Sequence, residues 1–459
     1  MVDCKKYVEE IKKLEEKLGD DERYANILIT DEEGIQTAKE TIKAAVGDID
    51  DELLECLTFK KVSLGSLTPL LFDDNLEEIM VIGRDSPAYV FDRTQGMIAS
   101  DIYINEEDLE HIIKKIARFS GRVVDPDNPL LDGRLPDGSR VNATLKGVTP
   151  RGTTMTIRKF RREPLTIIDL IKSETLSSEL AAFLWLAIEG LGTKPANMLL
   201  IGGTASGKTT TMNAATLFIP RKNRILTIED TMEISLLHTH WIPMETKPPD
   251  PGSKNEITMD DLLKNALRMR PDRMIVGEVR SSEALTLFTA MNTGHEGCMA
   301  TLHANSAREA LSRLQSHPMN VPNMMITALD LIVCQNRQLE GGKLVRRMSE
   351  VAEISGREGD TFLMNTLFEY DPTKGEIVTK LLNGKIVQEL SELTGFSVKE
   401  IDDEINKRKS MLEAMTAADL NQDMVFDIVQ TYYEQPDEAL EKLYQLTVTS
   451  SGEGGSPET

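Results

Sequence analysis

Met198-Leu199-Leu200-Ile201-Gly202-Gly203-Thr204-Ala205-Ser206-Gly207-Lys208-Thr209 decides how the chain around it folds. The four apolar residues read as a strand buried on both faces, since a half-exposed strand would alternate with polar residues. Gly202 to Thr209 fit the pattern G-x-x-x-x-G-K-[ST], and Thr210 to Ile219 read as the helix that leaves it. Chemistry explains the residue types. Glycines let backbone N–H groups turn inward onto phosphate oxygens, Lys208 reaches the β and γ phosphates, and the Thr209 hydroxyl suits Mg²⁺. A helix N-terminus adds N–H groups without intrahelical partners and a positive dipole end. The competing reading is a glycine-rich structural turn, and the flanking strand and helix argue against it. Gly202, Gly203, Thr204, Ala205, Ser206, Gly207, Lys208, Thr209 and Thr210 are therefore the expected residues around a nucleoside triphosphate.

Working outward, 459 residues give room for about three domains. No apolar stretch reaches the ~18 residues that span a bilayer, and Met1 to Gly19 is too charged for a signal peptide. A cytoplasmic protein is expected, peripheral at the inner face of the cell membrane if it docks on a membrane protein. Cys4, Cys56, Cys298 and Cys334 are far apart without a C-x-x-C pair, which predicts reduced thiols rather than a disulfide or zinc framework. The net charge of −23 counts against a nucleic-acid-binding surface. Most of it lies in the acidic ends, which read as solvated helix faces and a soluble tail. Adaptation to a salty cytoplasm is a second reading of the same composition.

Residues 1–65 read as a helical region, with Tyr7, Ile11, Leu14 and Leu18 on one face. Residues 66–160 mix strand signals (Glu78 to Ile82, Ala88 to Phe91, Arg140 to Thr144, Met155 to Arg158) with a helix over Glu106 to Phe119, which predicts a small α+β domain. A linker is expected over 161–175, around Pro164. Strands and helices then alternate over 176–355, which predicts an α/β domain with a mostly parallel sheet and a hairpin around Gly341-Gly342. Residues 356–447 read as mostly helical and 448–459 as a disordered tail.

A phosphate loop needs an acidic group for magnesium and a base for water. Met274 to Val279 reads as an apolar strand with Glu278 near its C-terminal end, the end that faces the ligand crevice of a parallel sheet. Ile225 to Glu233 carries Glu229, Asp230 and Glu233 within five residues. Such a cluster is costly unless solvated or neutralised, and composition leaves open which member handles the water. A strand through Cys298 to Leu302 places His303 at its end, where a hydrogen-bonding or sensing role fits better than metal ligation. Six bases fall between Lys146 and Arg162 with no acid among them; a solvated run and guanidinium groups for a triphosphate are equally good readings.

Taken together, these segments resemble the type II/IV secretion-system ATPases. The resemblance rests on the phosphate loop, Thr227-Ile228-Glu229-Asp230-Thr231-Met232-Glu233, Gly277-Glu278-Val279-Arg280, Ala290 to His295 with Thr301-Leu302-His303-Ala304-Asn305, and the arginine segments Arg134 to Arg140 and Thr156 to Phe160. It covers about residues 65–355 and is most similar to the archaeal archaellum and type IV pilus motors. The four-cysteine zinc site usual in the bacterial assembly branch is missing, and Glu-Asp-Thr replaces the Glu-Asp-Pro common there.

The resemblance implies a RecA-like core, ATP as substrate and Mg²⁺ as cofactor. It implies that Thr209 and Glu278 hold the metal, Glu233 is the general base, His303 reports on the γ-phosphate, and Arg134, Arg140 and Arg158 close over the nucleotide. It also implies a homohexameric ring and a polytopic membrane platform as partner, with no nucleic acid. The rivals are a RecA-like nucleic-acid translocase and a nucleotide-gated scaffold with little turnover.

Overall fold

The computed structural model describes residues 4–18, 27–83, 86–160, 164–247, 249 and 255–452. The chain divides into two units, Met1–Arg162 and Glu163–Thr459.

The N-terminal unit opens with α1 (Val8–Leu18), α2 (Glu32–Val46) and α3 (Asp51–Val62) around Ile11, Ile42, Leu54 and Leu57. Asp31 and Asp50 cap α2 and α3, accepting the N–H groups of Gly34 and Leu53 that the first turn leaves free. Cys4 and Cys56 form a disulfide here, with Cα atoms 5.5 Å apart, which overturns the expectation of reduced thiols for this pair. Their separation of 52 residues hid a contact that only the packing of the helices creates. The side chain of Leu18, expected on the α1 stripe, lies outside the described residues.

After α4 (Thr68–Phe72) come β1 (Leu76–Ile82), β2 (Pro87–Asp92), β3 (Gly96–Tyr103), α5 (Glu106–Phe119), β4 (Leu130–Arg134), β5 (Arg140–Thr144) and β6 (Thr154–Arg158). The strands form an antiparallel sheet in the order β3-β2-β1-β6-β5-β4. Asn105 caps α5, whose Leu109, Ile112, Ile113 and Ile116 recur at helical spacing and bury into the same core as the inward residues of the sheet.

Of the expected linker, residues 161–163 lie outside the described residues, and α6 (Ile167–Lys172) follows behind a Thr166–Asp169 capping box. The second unit continues with α7 (Ser178–Glu189), β7 (Met198–Ile201), α8 (Lys208–Ala215), β8 (Ile225–Glu229), β9 (Trp241–Glu245), α9 (Met259–Ala266), β10 (Arg273–Val279), α10 (Glu283–Asn292), β11 (Met299–Leu302), α11 (Ala307–Gln315) and α12 (Asn323–Ile326). Then come β12 (Leu331–Glu340), β13 (Lys343–Glu358), β14 (Thr361–Asp371), β15 (Glu376–Thr379), α13 (Lys385–Thr394), α14 (Val398–Ala417), α15 (Gln422–Glu434) and α16 (Pro436–Gly452).

One sheet runs β15-β14-β13-β12-β7-β11-β10-β8-β9. From β12 to β9 every neighbour is parallel; from β12 to β15 every neighbour is antiparallel. Alternate residues of β7 serve opposite layers. Met198 and Leu200 join the core on one face, Leu199 and Ile201 the core on the other. That double burial is why the strand reads as a continuous apolar run.

Two boundaries differ from the sequence reading. The region from 356 opens with strands, because the long hairpin carries the sheet on to Thr379, and α16 runs to Gly452. Residues 453–459 of the expected tail lie outside the described residues.

The C-terminal helices pack on the second unit's core. Trp185 of α7 stacks on Phe218 with centroids 5.2 Å apart and meets Tyr432 of α15 edge-on. Buried Arg408 of α14 donates to Glu189 at 3.0 Å and to Glu404 at 3.0 Å, with its guanidinium over the Trp185 ring. A charge so buried needs both carboxylates.

Candidate functional site

The phosphate loop sits between β7 and α8. Its backbone takes left-handed values at Ala205 (φ 57°) and Gly207 (φ 94°), and no side chain caps α8, whose first N–H groups face the loop. Gly202 is required by proximity. A Cβ there would run into the backbone carbonyl of Gln335 on β12 and the Ser206 hydroxyl. At Gly207 a Cβ would lie 2.9 Å from the Gln335 amide nitrogen, on top of its positive φ. Gln335 is itself buried and accepts from Thr211 of α8 at 2.7 Å, so β12 braces the loop from behind.

Lys208 donates to the carbonyls of Gly202 and Gly203 at 3.0 and 3.1 Å. Burial holds its ammonium below the usual lysine range, against the pull of Glu278 and Glu233. The Ser206 hydroxyl is buried within the loop without a hydrogen-bond partner. The left-handed backbone, the uncapped helix, the half-buried lysine and this hydroxyl together fit the phosphates of a nucleotide.

The other strand ends converge on the same edge. Glu278 lies in β10, next to β8, which carries Glu229. Gly277 allows the approach: a Cβ there would lie 2.9 Å from the Glu229 side chain. Glu229 is buried, and its carboxylate accepts the backbone N–H groups of Glu233 and Ile234 at 3.0 and 3.2 Å. Burial pushes its carboxyl up to about 7, although the two N–H groups oppose the rise. It therefore fixes the backbone at Glu233. Asn213 of α8 takes hold of the same segment, accepting the Ser235 N–H at 3.0 Å.

His303 follows β11, and its Nε2 lies 3.2 Å from Thr204 Oγ1 in the loop. Asn305, two residues on, comes close enough to Gly203 that a Cβ there would meet its Oδ1 at 3.5 Å. Among the described residues no group of three or more His, Cys, Asp or Glu side chains forms a metal cluster. The Thr209 hydroxyl and the Glu278 carboxylate are hard oxygen donors, a set that suits a magnesium ion completed by phosphate and water.

Two residues join the site without a sequence signal. Arg346 on β13 donates from Nε to the Ala205 carbonyl at 3.2 Å, and Gln335 lies on the partner strand. Both sit more than 120 positions from the loop; the pairing of β12 with β7 brings Gln335 there, and the β12–β13 hairpin brings Arg346. Arg280 was visible within Gly277 to Arg280 but carried no assignment. It bonds Glu278 and Asp230 together.

In the N-terminal unit, Arg134 is in register with Arg140, and Arg140 with Arg158. Directly opposed residues share a face, so the three guanidinium groups form a row across β4, β5 and β6. Lys159 of the six-base run turns inward to the Asp73 carbonyl, and burial pushes its ammonium down to about 8. Arg161 and Arg162 lie outside the described residues.

The profile of the type II/IV secretion system protein family matches residues 61–385. The chain belongs to that family. Members of similar sequence include the uncharacterised proteins MJ0900 and MJ0781 of Methanocaldococcus jannaschii. The first is 36% identical over 85% of this chain and 71% of its own, the second 32% identical over 83% and 77%. The type IV secretion system protein PtlH of Bordetella pertussis is 30% identical over 64% of this chain and 94% of its own. Among solved structures, the VirB11 ATPase of the Brucella suis type IV secretion system, in complex with sulphate, is 25% identical with a TM-score of 0.32, covering 62% of this chain and 91% of that one. The family match takes in the phosphate loop, the arginine row and the β12–β13 hairpin, and ends at the start of α13.

Proposed function

We propose that the chain is a Mg²⁺-dependent ATPase of RecA-like architecture, working as a homohexameric motor that powers filament assembly or protein secretion through a membrane platform. The observation that carries this is the meeting of Lys208, Glu278, the Glu229–Glu233 segment and His303 at one edge of the parallel sheet, beside a loop shaped for phosphates. The names of similar family members, among them PtlH of a type IV secretion system, point to transport machinery. No helix among the described residues is long and apolar enough to cross a membrane, and the platform is proposed as a separate protein. A site facing the cytoplasm, peripheral at the inner membrane, is part of the proposal.

The phosphate loop binds the triphosphate through its N–H groups while Lys208 leaves the carbonyls of Gly202 and Gly203 for phosphate oxygens. Thr209 and Glu278 would hold a magnesium ion, which would supply positive charge against the phosphate oxygens. Glu233, held by the Glu229 carboxylate, accepts a proton from the attacking water. His303 reports the γ-phosphate through its contact with Thr204. The row Arg134, Arg140 and Arg158 offers guanidinium groups suited to phosphate oxygens.

Steady-state ATP turnover of wild type, Lys208→Ala and Glu233→Gln, run beside light scattering, tests this. Magnesium-dependent turnover lost in both variants, ATP binding kept in Glu233→Gln, and a mass near six chains are expected. Full turnover in Lys208→Ala would overturn the reading.

A further inference from the structure

Arg280 reaches two carboxylates from different strands. Its NH2 donates to Glu278 Oε2 at 2.5 Å and its NH1 to Asp230 Oδ2 at 2.9 Å, so one guanidinium joins the end of β10 to the segment after β8. Its backbone is fixed independently. The buried Glu283 carboxylate accepts the Arg280 N–H at 2.5 Å and the Ser281 N–H at 2.7 Å. The guanidinium thus directs its charge at the carboxylate assigned to magnesium.

An acidic edge of this kind repels a nucleotide's phosphates unless a cation stands between them. We propose that Arg280 is the resident counter-cation of this edge: it neutralises Glu278 and Asp230 when no metal is present, and so lets metal-free nucleotide enter. It is a positioning residue, acting through Glu278. The inference rests on the proposed nucleotide site and adds to it a role for a side chain that touches neither the loop nor the assigned base. Arg280 is exposed on the side chain, so its removal leaves the core intact. The charge-keeping Arg280→Lys controls for shape.

The test is binding of mant-ADP, followed by fluorescence anisotropy, in EDTA and in magnesium. Arg280→Ala should weaken binding about tenfold in EDTA and less than about threefold in magnesium, where the ion supplies the missing charge. Arg280→Lys should recover most of the loss. A merely structural role would weaken both conditions alike, and that result would overturn the proposal. So would a wild type that binds mant-ADP only with magnesium. Equal ratios in wild type and Arg280→Ala, with Lys208→Ala unable to bind, would sink the counter-cation and leave the nucleotide site standing. Absence of binding by wild type in either condition would remove the site itself, and the proposal with it.

Discussion

Thr204 Oγ1 and His303 Nε2 stand 3.2 Å apart and join the phosphate loop to the end of β11. Thr204 is exposed at the crest of the loop, so a phosphate arriving there competes for the same imidazole. Replacing His303 by Ala should lower ATP turnover by about 10²-fold, the loss typical of one preorganised polar group. Binding of mant-ADP, which lacks the third phosphate, should change little. Turnover and anisotropy measured on one preparation decide it; equal losses in both would make His303 a ligand of the bound nucleotide rather than a reporter of the γ position.

Glu229 gives a pH prediction with a definite sign. An unfolded glutamate titrates near 4.5, whereas burial pushes Glu229 up to about 7 in the folded protein. Between these values the unfolded chain holds fewer protons than the folded one, so stability from this group is fully present below 4.5 and lost as pH rises through 7. Glu229→Gln stays neutral and can still accept the Glu233 and Ile234 N–H groups. Its thermal midpoint should match wild type near pH 4.5 and exceed it at pH 8, by an amount equivalent to about 2–3 kcal/mol. A variant that is less stable than wild type at pH 8 would show that the ionised carboxylate is the form the segment needs.

Much of the second unit was legible because its strands are buried on both faces. Met198 to Ile201 forms a strand over the residues that the apolar run marked, since double burial leaves no polar alternation to confuse the reading. Glu106 to Phe119 was equally clear from its helical spacing. Three features could not be read. The Cys4–Cys56 bond depends on helices that meet only in the fold. Gln335 reaches the loop because β12 pairs with β7, and Arg346 because β13 pairs with β12, contacts that sequence separation conceals. The hairpin around Gly341-Gly342 was read, but not the length of β13, from Lys343 to Glu358, whose Arg346, Arg347, Glu350 and Glu353 interrupt the apolar pattern. The role of Arg280 needed geometry: the motif containing it was plain, but not that its guanidinium spans Glu278 and Asp230.

Two glycines of the loop should respond differently to the same methyl group. At Gly202 a Cβ meets the Gln335 carbonyl, which belongs to a strand pinned to β7 by the pairing of Cys334 with Ile201. At Gly203 the nearest atom is Asn305 Oδ1 at 3.5 Å, an ordinary contact. Gly202→Ala should cost about 1–3 kcal/mol of stability, as overpacking does, and abolish mant-ADP binding. Gly203→Ala should fold like wild type. Comparable midpoints for the two variants would mean that the loop relaxes away from β12.

The last prediction concerns the C-terminal helices, which the sequence left without a role. Gln430 of α15 is buried, and its amide nitrogen donates to the carbonyls of Leu217 and Ile219 at 3.0 Å each while its oxygen accepts the Arg221 N–H at 2.5 Å. Leu217, Ile219 and Arg221 belong to the turn that ends the helix leaving the phosphate loop. Nearby, His238 Nε2 donates to the Ile219 carbonyl and the ring packs edge-on against Phe426 of α15. Gln430→Leu keeps the volume but removes the amide partner of the Leu217 and Ile219 carbonyls and of the Arg221 N–H, which should cost about 2–4 kcal/mol. Asp427→Ala, on the same helix, removes half-exposed ion pairs to Arg221 and Lys442 and should cost no more than about 1 kcal/mol. Thermal midpoints of the two variants compare a buried amide with surface charge on one helix. A larger loss in Asp427→Ala would mean that charge, rather than the amide of Gln430, holds α15 against the end of α8.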